Sequence, residues 1–167
     1  MKIGIDYSLS SPGICVNTSK GEFRYEDCTF YFLTNTKKYN DTFKVITAPV
    51  NMRSEAVKFI GSPHQLYTNE PERYSQYGST GRVFHIAENL GLLKYKLKME
   101  CGWDYTLLPP SVIKKHATGK GNANKDLMLH AFEEETHTNL GKVFDTTSKS
   151  PISDIADAYF ICKYTEE

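Results

Sequence analysis

Three aspartates stand where their surroundings invite chemistry. Asp6 ends the stretch Lys2-Ile3-Gly4-Ile5, whose apolar residues alternate as in a half-buried strand. A Ser/Pro/Gly turn and a second apolar run, Ile14-Cys15-Val16, complete a hairpin pattern. A carboxylate buried in such a strand is costly unless it is paired or holds a cation. The plainer alternative puts Asp6 at the strand's open end, capping the turn. Asp154 and Asp157 lie three apart in SPISDIADAYFICKY, so a helix shows both on one face. An acidic first turn serving the helix dipole accounts for that pair taken alone. Two close carboxylates nevertheless raise each other's pKa unless a cation sits between them. One aspartate on a buried strand plus two on a terminal helix suits a hard divalent ion with oxygen ligands. Such an ion takes one or two carboxylates and keeps waters for a phosphate. A pair of them activates water and stabilises the leaving oxygen of a phosphodiester.

A second group of residues is basic. Thr118-Gly119-Lys120-Gly121-Asn122-Ala123-Asn124-Lys125 is a loop with two glycines and two lysines, and Lys114 and Lys115 precede it. Glycines let a backbone approach a phosphate closely. Lys114, Lys115, Lys120, Lys125 and, further off, Arg82 could neutralise phosphates, which gives affinity without sequence choice. The competing account is a solvated basic turn whose glycines cap helices. Tyr67, Tyr74 and Tyr77 offer rings that could stack on unpaired bases or simply anchor core and loop.

The elements that must position these residues follow from pattern. The chain has 167 residues, 40% hydrophobic and 24% charged, which fits one soluble domain over 1–167 with a proper core. Twenty basic residues balance twenty acidic ones, so any nucleic-acid surface must be local. Cys15, Cys28, Cys101 and Cys162 form no C-x-x-C pair and read as reduced thiols. No apolar run reaches membrane-spanning length and no signal peptide pattern opens the chain. The expected location is therefore cytoplasmic. Glu22–Leu33 and Phe43–Ala48 read as strands, Ser54–Phe59 as a helical turn or two, and 61–79 as irregular. Gly81–Glu100 is the clearest helix. A short strand Asp104–Leu108 and a helix capped by Ser111 and running through His116 come next. Helices over Lys125–Thr136 and Pro151–Tyr164 close the chain. Strands first and helices later imply a mixed-sheet α/β or α+β domain.

Three segments in order carry a resemblance. Gly4-Ile5-Asp6-Tyr7-Ser8, then Lys114–Lys125, then Ser153-Asp154-Ile155-Ala156-Asp157-Ala158 resemble the RuvC-like Holliday-junction resolvases of the ribonuclease H-like superfamily, most closely their phage-type members. The resemblance implies a central mixed sheet flanked by helices. It implies Mg²⁺ or Mn²⁺ held by four acidic residues, of which Asp6, Asp154 and Asp157 match three. It implies metal-dependent hydrolysis of branched DNA, in recombination or phage DNA processing, by a homodimer making two nicks. The setting would be a bacterial or phage-infected cell.

The sequence departs from that family at the fourth ligand, a glutamate at the end of another strand. Tyr77–Phe84 looks like the segment just after it, but Glu70–Gln76 carries no apolar strand. The resemblance thus implies that one strand–helix unit of roughly 20–30 residues is absent, with Glu72 the nearest stand-in. A junction-binding protein that no longer cuts is the alternative this departure raises. A nuclease for RNA–DNA hybrids is a third.

Overall fold

The computed structural model describes residues 1–7, 12–32, 40–45, 65–69 and 80–164, with the side chains of 66, 69 and 80–86 left aside. Ser54–Phe59, Glu72, Tyr74 and Tyr77 lie outside the described residues.

A six-stranded sheet organises the chain. Its strands are β1 (Lys2–Asp6), β2 (Gly13–Asn17), β3 (Cys28–Phe32), β4 (Phe43–Val45), β5 (Gln65–Asn69) and β6 (Thr106–Leu108), in the order β4-β3-β2-β1-β5-β6. The first three pair antiparallel, as the hairpin pattern predicts, with Asp6 opposite Gly13 and Ile3 opposite Val16. Strand β4 joins β3 in parallel, and β5 lies parallel between β1 and β6. The mixed-sheet, ribonuclease H-like expectation therefore holds, with one correction. The supposedly missing strand is present as β5, inside the stretch expected to be irregular. Thr68 pairs with Ile5 and Asn69 with Leu108.

Alternation along β1 divides the molecule into two cores. Ile3 and Ile5, with Ile14 and Val16, pack on Leu90, Leu93 and Leu97. These leucines belong to α1 (Thr80–Tyr95) and the π-helical turn Lys96–Glu100 that prolongs it. The other face, with Cys15, Phe30, Phe32 and Tyr67, packs beneath four helices. They are α2 (Pro110–Thr118), α3 (Lys125–Thr136), α4 (Leu140–Phe144) and α5 (Ile152–Lys163). Helix α5 lies between the sheet and the other helices, so nearly all its residues are buried, Ile155, Ala158, Ile161 and Cys162 among them. An aromatic cluster of Tyr25, Phe30, Phe132 and Tyr159 fills the space where α3, α5 and β3 meet, mostly edge to face.

Smaller differences have local causes. Pro109, not Ser111, stands at the cap of α2, and Pro110 takes the first helical position, where a missing N–H costs nothing. Tyr67 is a core residue edge-on to Tyr164, so it is not a stacking platform for bases. Cys15, Cys28 and Cys162 are buried free thiols, as expected, whereas Cys101 is only partly buried. Among the described residues no helix is long and apolar enough to cross a membrane.

Candidate active site

Two glycines bring α5 onto the sheet. A Cβ on Gly4 would lie 2.3 Å from the Cys162 nitrogen, and one on Gly13 would lie 2.2 Å from the Asp154 carbonyl oxygen. Neither approach leaves room for a side chain, so glycine alone permits this backbone contact. Gly13 sits opposite Asp6 across the β1–β2 ladder. The first turn of α5 is thereby laid against the strand end that carries Asp6.

The electrostatics follow from that contact. Burial pushes the Asp6 carboxyl well above the usual carboxylate range, the charges of Asp157 and Asp154 add to the rise, and Lys125 opposes it. Burial, then Asp154, pushes Asp157 up to about 6 against the pull of Lys125 and Lys114. Asp154 is buried and accepts hydrogen bonds from Ser150 Oγ at 3.0 Å and Ser153 Oγ at 3.4 Å. The three aspartates thus share one electrostatic neighbourhood. Each ionisation opposes the next, the situation a bound cation relieves.

Lysine 125 is built into this neighbourhood. Asn124 caps α3, its Oδ1 accepting from the Leu127 N–H at 2.9 Å. The cap fixes the first turn, and Lys125 Nζ donates to Ser153 Oγ at 3.2 Å, beside Asp154. Lys114 comes from the middle of α2 and acts on Asp157. Lys115 and Lys120 are exposed around the loop between α2 and α3. Arg82 lies in the first turn of α1, an element of the other sheet face, and its side chain is outside the described residues. Gly119, at φ 74°, is the C-cap of α2, its N–H donating to the Lys115 carbonyl at 2.8 Å. For this glycine the capping account is the one the geometry bears out.

The strand end is also held from the other face. The Tyr7 hydroxyl, one residue past Asp6, donates to the Asn89 carbonyl at 3.0 Å and lies against the Asn89 side-chain oxygen. That ties the end of β1 to α1.

Oxygen-only donors of this kind match Mg²⁺ or Mn²⁺ rather than a softer metal. Among the described residues no group of three or more His, Cys, Asp or Glu is arranged to hold an ion as it stands. Sequence reasoning also missed the strand that runs beside β1. Strand β5 is parallel to β1 and its register sets Thr68 beside Ile5, so it ends where β1 ends, next to Asp6. The residue that follows Asn69 in the chain is Glu70, which lies outside the described residues. The signal available in the sequence was Leu66-Tyr67-Thr68, three strand-prone residues directly before Asn69-Glu70.

No protein-family profile matches this sequence, and no curated protein sequence does. Solved structures do match. The Thermus thermophilus RuvC structure superposes with a TM-score of 0.50 at 17% identity, covering 96% of this chain and 90% of that one. T. thermophilus RuvC in complex with Holliday junction substrate gives 0.52 at 16% identity, covering 98% and 92%. The yeast mitochondrial Holliday junction resolvase Ydc2 gives 0.52 at 12% identity, covering 96% and 75%.

Proposed function

We propose, on the premise that this chain has the RuvC-type ribonuclease H-like fold, that it is a metal-dependent, structure-selective endonuclease acting on four-way DNA junctions. The observation that carries the reading is the Gly13 contact, which lays the first turn of α5 and Asp154 against the strand end bearing Asp6, where burial and mutual charge raise the Asp6 and Asp157 carboxyls and a divalent cation would relieve them. The structural neighbours include junction resolvases and a complex with junction DNA, which supports the substrate class.

In this reading Asp6, Asp154 and Asp157 hold Mg²⁺ or Mn²⁺, and Glu70, the next residue in the chain after β5, is the fourth oxygen donor in preference to Glu72. Bound there, the ions supply Lewis acidity toward water and phosphate. The chain's own contribution is placement. The Gly13 contact sets Asp154, and Lys125 balances part of the negative charge before DNA arrives. Lys114, Lys115 and Lys120 meet phosphates on either side of the scissile position. Two copies acting together would cut two strands.

The test is nicking of a synthetic four-way junction with and without Mg²⁺ or Mn²⁺. Wild type is expected to cut only with metal and Asp6→Asn to bind without cutting. Equal cutting by both proteins would refute the nuclease assignment. Binding without cutting by wild type would favour a non-cleaving junction binder. The presence of β5 removes one ground of that alternative, the lost strand, and leaves the other, the unmatched fourth ligand. An RNA–DNA hybrid run in parallel separates the third possibility.

A further inference from the structure

Ser153 is a polar residue at a position that would suit an apolar one. It lies in the first turn of α5 and is 1% exposed, and its helix neighbours Ile152, Ile155 and Ala156 are buried too. Alanine is the better helix former and leaves no polar group to satisfy. A buried hydroxyl needs partners, and this one has two. It accepts from Lys125 Nζ at 3.2 Å and lies 3.4 Å from Asp154 Oδ1. The second contact is long for two oxygens, whereas Ser150 Oγ holds the other oxygen of Asp154 at 3.0 Å. The chief partner of Ser153 is therefore the lysine.

Lys125 supplies an independent observation. It is an exposed residue at the start of α3. Its stem is flexible and its ammonium strongly hydrated, so water draws it outward. Among the described residues no carboxylate comes within ion-pair distance of that ammonium, and Ser153 is its hydrogen-bond partner. Its field nevertheless falls on Asp6 and Asp157. An attraction of that range fixes no position, but a hydrogen bond does. The two helix starts are also tied around this bond. The Ser153 N–H donates to the Lys149 carbonyl at 2.8 Å, and Lys149 Nζ pairs at 2.9 Å with Asp126, the residue next to Lys125.

We propose that Ser153 is a positioning residue of the carboxylate site, holding the Lys125 ammonium as a stand-in positive charge beside Asp6, Asp154 and Asp157. The assignment rests on the metal-site reading above and deepens it. A charge held there partly neutralises the carboxylates when no cation is bound. It also opposes an incoming divalent cation, because like charges repel across such a site even when screened.

Calorimetric titration of Mn²⁺ into the full chain without DNA tests it. Lys125→Met is expected to tighten Mn²⁺ binding about tenfold, the low end of what one adjacent charge does to an ionic equilibrium. Ser153→Ala should tighten it about threefold, because the freed ammonium moves away and its field weakens with distance. The double variant should bind no more tightly than Lys125→Met alone, since the hydroxyl acts through the lysine. Ser153→Cys, which fills the space with a weak acceptor, should match Ser153→Ala. A serine with a purely structural role predicts the opposite sign, since its loss would loosen α5 and weaken metal binding. Unchanged or weaker binding by both Ser153 variants, or a double variant whose gains multiply, would overturn the assignment. Wild type that takes up no Mn²⁺ overturns the metal-site reading and this assignment with it. A chain that shows the expected affinities and never nicks a junction defeats the nuclease reading alone.

Discussion

Gly13 and Asp154 touch backbone to backbone, with room between them for a hydrogen and nothing larger. The contact places the first turn of α5, and therefore two of the three aspartates. Gly13→Ala is expected to push that turn off the sheet. Overpacking of this kind costs about 1–3 kcal/mol. Urea unfolding should record that loss, and junction nicking should fall with it while binding through the exposed lysines persists.

The carboxylate cluster predicts how stability depends on pH without metal. The Asp157 pKa is raised in the folded chain, to about 6 from an ordinary 3.8. A raised pKa means that the folded state holds its proton more tightly than the unfolded state. The associated stability is complete below the ordinary value and is lost as pH rises through about 6. Asp6 is shifted in the same direction. Melting in the presence of a chelator should therefore fall between about pH 4 and pH 7, by on the order of 2 kcal/mol after solvent screening. Mg²⁺ should reverse the loss at neutral pH. A flat profile, with no response to Mg²⁺, would show that the three carboxylates do not interact.

Lys125 and Lys120 should separate two effects of positive charge. Lys125 lowers the pKa of both Asp6 and Asp157, whereas Lys120 is exposed at the loop. Lys125→Met is expected to move the acidic limb of the nicking profile to higher pH. Lys120→Ala should leave that limb in place, weaken junction binding, and reduce its salt dependence by about one phosphate contact. Nicking rates across pH, with binding measured at several salt concentrations, check both.

Glu70 and Glu72 give the sharpest comparison. Glu70 directly follows the strand that runs beside Asp6. Glu70→Gln is expected to cut metal-dependent nicking by at least roughly a hundredfold, the most that losing an outer-shell partner of a metal ligand costs, with binding retained. Glu72→Gln should change little. The reverse result would return the fourth donor to Glu72.

Much of this architecture is legible in the residues, and the exceptions share a cause. The β1–β2 hairpin, α3 and α5 announce themselves because burial on one face writes a period into the sequence. Strand β5 does not. It is five residues long, flanked by Pro63 and Pro71, and paired on both edges by β1 and β6. A short strand held between neighbours needs no alternation, so Gln65-Leu66-Tyr67-Thr68-Asn69 carries little signal. Reading it as irregular led directly to the mistaken loss of a strand, and left Glu72 as the stand-in named for the fourth ligand. Helix α4 is hidden for a similar reason, since Leu140–Phe144 is a single capped turn that buries Leu140 and Phe144. The aspartates of the candidate site are legible from their spacing and setting. The entry of Lys125 and Lys114 among them is not, because it depends on how α2 and α3 cross α5.

The Tyr7 hydroxyl on Asn89 makes the two sides of the molecule answer to one another. Asp6 is one residue from that phenol, and Asn89 sits between Glu88 and Gly91 on α1. A substitution that shifts α1 pulls on the strand beside the carboxylates. Distance from the aspartates is thus no guarantee of neutrality for changes on α1, and silent-looking variants there belong in any screen for altered cutting.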